Sequence, residues 1–111
     1  MHIDKRGLRF PFSADAEVQV QDLPTLLHGR VTDISLQGCF LAISGSFGEK
    51  ERVRVKIFRS GECFETLAEV IYHRPSGVGL LFVEMIPRFR EVLQNWILSA
   101  LDRQIEQSLE K

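Results

Sequence analysis

The sequence is short of the features that announce catalysis, secretion or metal binding. It has two cysteines, Cys39 and Cys63, each inside an apolar segment and without metal-ligand spacing. They read as buried free thiols rather than as a disulfide. The three histidines, His2, His28 and His73, are widely separated, and none belongs to an HxxH or HxxxH pair. No GxSxG elbow, P-loop or GxGxxG fingerprint is present. The carboxylates mostly alternate with apolar residues, as on a solvated strand face, so an enzyme is not expected. Charge of one sign is also missing. Fourteen Lys and Arg against fifteen Asp and Glu leave a formal charge of -1, which argues against a general nucleic-acid binder. No apolar run approaches the roughly 20 residues that span a bilayer. Met1 to Arg9 is polar and charged and lacks the apolar stretch of a signal peptide. The expected location is therefore the cytoplasm, with no membrane span and no nucleic-acid partner.

What is present is a period of two. The 111 residues, 44% hydrophobic, have room for one domain and one core. Ala16, Val18 and Val20 alternate with Asp15, Glu17 and Gln19, as in a half-buried strand. In the next run Val31, Asp33 and Ser35 fall on one side, with Thr32 and Ile34 on the other. Cys39-Phe40-Leu41-Ala42-Ile43 reads as a strand buried on both faces. Val53, Val55 and Ile57 alternate with Arg52, Arg54 and Lys56. Ser60-Gly61 is a hairpin signal ahead of a longer strand from Phe64 to Tyr72, and Arg74-Pro75-Ser76-Gly77 turns the chain into Val78 to Val83. Six short strands separated by turns point to an antiparallel barrel or sandwich, and a barrel also removes exposed edges.

The period changes after Pro87, a residue suited to a helix start. Phe89, Leu93, Trp96, Ile97, Ala100, Leu101, Ile105 and Leu109 recur at helical spacing. The expected organisation is a flexible basic N-terminal segment (1–10), a barrel (11–86) and an amphipathic helix (87–111). Such a helix has about six turns, on the order of 30 Å, and a small barrel covers about half of it. The remainder, around Leu101, Ile105 and Leu109, either frays or pairs with another chain, a homodimer being one form of such pairing.

Two segments carry potential chemistry. Asp4-Lys5-Arg6-Gly7-Leu8-Arg9 sets three cations ahead of the first strand. Arginines there can clamp phosphates, read the O6 and N7 of guanine, or stack on a base. Asp33-Ile34-Ser35-Leu36-Gln37-Gly38 combines a carboxylate, which can accept from the N–H donors of a guanine edge, with a hydroxyl and a glycine. The bland alternatives are a solvated basic tail and a serine turn that ends a strand. The stripe Arg52, Arg54 and Lys56, with Arg59 nearby, reads as the wet side of a strand. Most of the eight phenylalanines read as core, which weighs against a single-strand-binding barrel of the kind that stacks bases on exposed rings.

Together these segments resemble the PilZ family, in which an RxxxR motif precedes the first strand and a D/NxSxxG motif comes later in the chain. The second motif stands complete as Asp33-x-Ser35-x-x-Gly38, and Gly77-Val78-Gly79-Leu80-Leu81-Phe82 resembles the family's last strand. The resemblance implies an all-β fold with a C-terminal α-helix, a six-stranded antiparallel barrel of the split-barrel type. It also implies a non-enzymatic receptor for cyclic di-GMP, with no cofactor besides that ligand. Carried over by position, Lys5, Arg6, Arg9, Asp33, Ser35 and Gly38 are the ligand-binding residues. Ordering of the N-terminal segment around the nucleotide would then signal to an effector protein. The sequence departs from the family pattern at Lys5, which stands where the first arginine belongs. Lysine keeps the charge and loses the planar fork and the stacking face. The alternative this opens is a degenerate PilZ-like domain that binds no nucleotide and acts as a protein adaptor.

Overall fold

The computed structural model describes residues 8–20 and 23–109. Lys5 and Arg6 lie outside the described residues. Six strands and one helix occur in order: β1 (Phe10–Val20), β2 (Leu26–Ile34), β3 (Gly38–Ala42), β4 (Arg52–Arg59), β5 (Glu62–Arg74), β6 (Gly77–Val83) and α1 (Pro87–Leu109). The strands close into an antiparallel barrel in the order β1-β2-β3-β6-β5-β4. This is the expected six-stranded barrel with a C-terminal helix.

The period of two is what closes it. Phe10, Phe12, Ala14, Ala16 and Val18 of β1 point inward, as do Val53, Val55 and Ile57 of β4 and Phe64, Ala68 and Val70 of β5. Each large side chain so buried contributes roughly 1.5–3 kcal/mol. The two-residue loop Ser60-Gly61 joins β4 to β5 with positive φ at both residues, 52° and 79°. That is a type I′ turn, whose twist matches that of the strands it connects. Pro11 is tolerated inside β1 because β1 pairs with β4 only from Asp15 onward, so no ladder bond is forgone on that side.

Three strand expectations need correction. β1 begins at Phe10, inside the segment expected to be a flexible tail. β2 does not alternate to its end: Val31 and Ile34 are both buried, because the pairing with β3 shifts between Val31 and Asp33. The extra residue, Thr32, is a bulge, and a bulge re-aims the side chains beyond it. β3 is not buried on both faces either, since Phe40 and Ala42 are half-buried and face outward.

α1 starts at Pro87 as expected, and its hydrogen-bond ladder opens on Ile86, whose carbonyl oxygen accepts from the amides of Phe89 and Arg90. Leu93, Trp96, Ile97 and Ala100 are buried against one mouth of the barrel. There Trp96 packs on Phe12 with ring centroids 5.4 Å apart, and its indole N–H donates to Glu62 Oε1 at 3.2 Å. Beyond Ala100 the packing stops: every described residue from Leu101 to Leu109 is exposed. No described helix is long and apolar enough to cross a membrane.

Candidate ligand-binding face

The two sequence motifs meet. Arg9, one residue before β1, donates from Nη1 to Asp33 Oδ1 at 2.5 Å, with side chains 24% and 33% exposed. β1 and β2 pair with Pro11 opposite Asp33 and Phe10 opposite Ile34, and that register carries Arg9 to the carboxylate. A guanidinium has five donors, and a carboxylate accepts at about four positions. Each partner of this pair therefore keeps hydrogen-bonding capacity for a third group.

The rest of the second motif faces inward. β2 ends at Ile34, so Ser35 does not share a strand face with Asp33 as the alternation suggested. Ser35 is 1% exposed. Its Oγ accepts from the amides of Gln37 at 3.2 Å and Gly38 at 3.1 Å, and donates to the Gly38 carbonyl at 3.3 Å. A hydroxyl has one donor and two acceptor positions, and all three are used here. The geometry is that of a serine turn, the bland alternative for this segment. Gly38, expected to let a ligand approach, is approached instead by the protein: a Cβ there would run into the Leu80 carbonyl of β6.

The outer surface holds residues whose apolar surroundings in the sequence point to the core. Cross-strand pairing aligns Asp33 with Phe40, Phe40 with Gly79, and Gly79 with Tyr72. Phe40 and Tyr72 lie nearly parallel, 22° between planes, with centroids 6.2 Å apart. Gly79 makes room for them, because a Cβ there would penetrate the Tyr72 ring. A register shift between Val70 and Tyr72 turns the tyrosine outward. The Arg74 guanidinium sits over its ring at 5.1 Å. Further along the same strands a polar cleft of about 660 Å³ opens, lined by His28, Ala42, His73, Arg74 and Gly77 among others. The signal that could have found this row is the alternation itself, since Phe40 stands between the inward-facing Cys39 and Leu41.

Beneath the row lies Cys39, fully buried. Burial, with a smaller push from the Asp33 charge and a counter-pull from Arg9, raises its thiol to about 12. Cys63 is half-buried rather than buried, and it too is raised, chiefly by burial. The basic stripe on β4 is interleaved with carboxylates. Lys56 stands between Glu17 and Glu65, and Arg54 lies 3.6 Å from Glu65.

Known proteins carry the same frame. The PilZ domain of CeSA from a cellulose-synthesizing bacterium superposes with a TM-score of 0.69 at 16% identity, over 88% of this chain and 99% of that one. The PilZ domain of YcgR from Escherichia coli, solved with c-di-GMP, gives 0.70 at 16% identity, over 94% and 95%. The Bacillus subtilis inhibitor of motility, MotI/DgrA, gives 0.73 at 20% identity, and there the chain spans 53% of the neighbour. At these identities the likeness is one of fold. No curated protein sequence matches the chain. The PilZ domain family itself matches residues 4–99, a span that takes in both motifs, the whole barrel and most of the docked part of α1, and the chain belongs to that family.

Proposed function

We propose that the protein is a cyclic di-GMP receptor. The observation that carries the proposal is the Arg9–Asp33 pair, which joins the two motifs of the chain at a partly exposed position beside two outward aromatic rings. In this reading Asp33 accepts from a guanine edge while it retains Arg9. The remaining N–H groups of Arg9 hold a phosphate. Phe40 and Tyr72 offer a face on which a purine stacks. Ser35 and Gly38 serve the site by shaping the turn behind Asp33. Lys5 and Arg6 complete the phosphate contacts, and ordering of their segment around the ligand changes the surface offered to an effector protein. The family membership and a neighbour solved with c-di-GMP support this choice of ligand.

A titration followed by calorimetry, with GTP as the control, tests it. Nucleotide-specific binding that is lost in both Arg9→Ala and Asp33→Ala is the expected result. Undiminished binding in both variants would place the site elsewhere.

A second reading has its own observations. Lys5 replaces the first arginine of the family motif, and Leu98, Leu101, Ile105 and Leu109 are exposed along the far half of α1. On this reading the domain is an adaptor that binds another protein, or a second copy of itself, without nucleotide. A partner or dimer recovered equally with and without cyclic di-GMP, together with a flat titration, would establish it.

A further inference from the structure

Three arginines from separate elements converge on a groove away from the aromatic row. Arg30 of β2, Arg59 at the end of β4 and Arg103 of α1 line a cavity of about 430 Å³, together with Ser13, Phe12 and Thr32. Arg30 is held in place: it donates to Asp15 Oδ1 at 2.7 Å and to Ser13 Oγ at 2.6 Å. Arg59 is also fixed, but by neutral groups. Its guanidinium lies 4.2 Å over the Phe12 ring, and Nη1 donates to the Ser13 carbonyl at 3.3 Å. Among the described residues, neither Arg59 nor Arg103 has a carboxylate within ion-pair distance. Glu62, opposite Arg59 in the β4–β5 register, accepts from the Trp96 indole. Asp102 and Glu106 flank Arg103 on the exposed helix.

The arrangement is electrostatically incomplete. Of the three guanidinium groups only Arg30 has a carboxylate within ion-pair distance among the described residues, and two of them sense each other: burial first, and then the charge of Arg103, lowers the pKa of Arg59. An arginine stays protonated all the same, so an anion in the groove would relieve the repulsion. The forked N–H geometry suits a phosphate or another planar or tetrahedral oxyanion.

We infer that this groove is a second binding site, for the phosphate group of a ligand, and that its occupant ties the free half of α1 to the barrel. The tie comes from where the arginines stand. Arg30 and Arg59 belong to the barrel, whereas Arg103 belongs to the helix segment in which every described residue is exposed. An oxyanion that bridges them spans the point at which the helix leaves the barrel. The inference does not rest on cyclic di-GMP binding at the aromatic row. The phosphate has two candidate sources, a nucleotide that extends from that row past Pro11 and Thr32, or a separate phosphate ester.

The test uses the full chain and inorganic pyrophosphate at low ionic strength, followed by NMR. Saturable shifts at Ser13, Arg30, Arg59 and Arg103 are expected, with slower hydrogen exchange over residues 101–109. Arg103 is exposed, so Arg103→Gln leaves the fold intact, and it should weaken binding about tenfold. Arg54→Gln, which removes one charge from the β4 stripe, should leave binding unchanged. Equal weakening by the two variants, or shifts that do not saturate, would overturn the inference. A parallel titration with cyclic di-GMP separates the sources. If Arg103→Gln weakens that ligand too, the phosphate is the nucleotide's own; if only pyrophosphate is affected, the groove serves another ester. Should cyclic di-GMP not bind at all, the pyrophosphate result still decides.

Discussion

The second motif has an inner half and an outer half, and the two behave differently. Ser35 and Gly38 point inward; one is saturated with hydrogen bonds, and the other lies against the backbone of β6. Asp33 points outward, a third exposed, and is tied to Arg9. Three residues that read as one signature therefore divide into two kinds. Ser35 and Gly38 hold the turn, and Asp33 presents chemistry. The difference teaches that one part of a motif can serve the fold while another part faces outward. It also separates the two losses that a substitution can cause, stability and affinity.

The comparison can be broken at five points. The largest effect is expected from Gly38→Val, which drives a side chain into the Leu80 carbonyl; overpacking of this kind costs about 3 kcal/mol or more. Chemical denaturation should show a large drop in midpoint or no folded protein, and a near-normal midpoint would mean that β3 and β6 separate easily. Ser35→Ala comes next. It removes the acceptor of the buried Gly38 amide and of the part-buried Gln37 amide, at about 1–3 kcal/mol. The melting temperature should fall while the affinity of the folded fraction for cyclic di-GMP stays within about twofold; a large loss of affinity at unchanged stability would return Ser35 to the outer half.

Asp33→Ala should do the reverse. Its pair with Arg9 is partly exposed, so stability should change by less than about 1 kcal/mol. Affinity should fall about tenfold or more, the value of a charge-assisted hydrogen bond. Phe40→Ala should weaken nucleotide binding about fivefold or more, the low end of base stacking, and should leave GTP discrimination to Asp33. Equal affinity in that variant would restrict the ligand to the Arg9 side of the row.

The last effect is absent at neutral pH. Cys39 is raised from 9.0 to about 12, so the folded state holds its proton more tightly than the unfolded state does. Its contribution to stability is complete below pH 9 and is lost as the pH rises toward 12. Cys39→Ala should flatten that alkaline decline, and denaturation curves at stepped pH would show it. An unchanged slope would assign the decline to Cys63 and other groups.

Much of the fold was legible because period two and period 3.6 are written directly in the side chains. The six strands, the Ser60-Gly61 hairpin and the start of α1 at Pro87 come from alternation, turn chemistry and proline's fixed φ. The family pattern singles out Asp33 and Arg9 as candidate ligand residues, and the structure shows that they pair with each other. What escaped was whatever depends on register. The shifts near Thr32 and Ile71 reverse which face the subsequent residues occupy, and no residue type marks a bulge. That is why alternation alone puts Ser35 on the same face as Asp33, and Tyr72 on the same face as the buried Val70. The arginine groove escaped for a related reason. Arg30, Arg59 and Arg103 are far apart in the chain, and only barrel closure with the helix laid across one mouth brings them together.

Trp96 has one more consequence. It is the only tryptophan in the chain, and it is buried where α1 meets the barrel, with its indole N–H on Glu62 and Phe12 at its face. The protein thus carries a single indole fluorophore, at the joint between its two parts. Phe12, which touches that indole, also supports Arg59 of the groove. Emission colour and quenching therefore report helix docking without any label. A filled groove and an empty one should differ in that light.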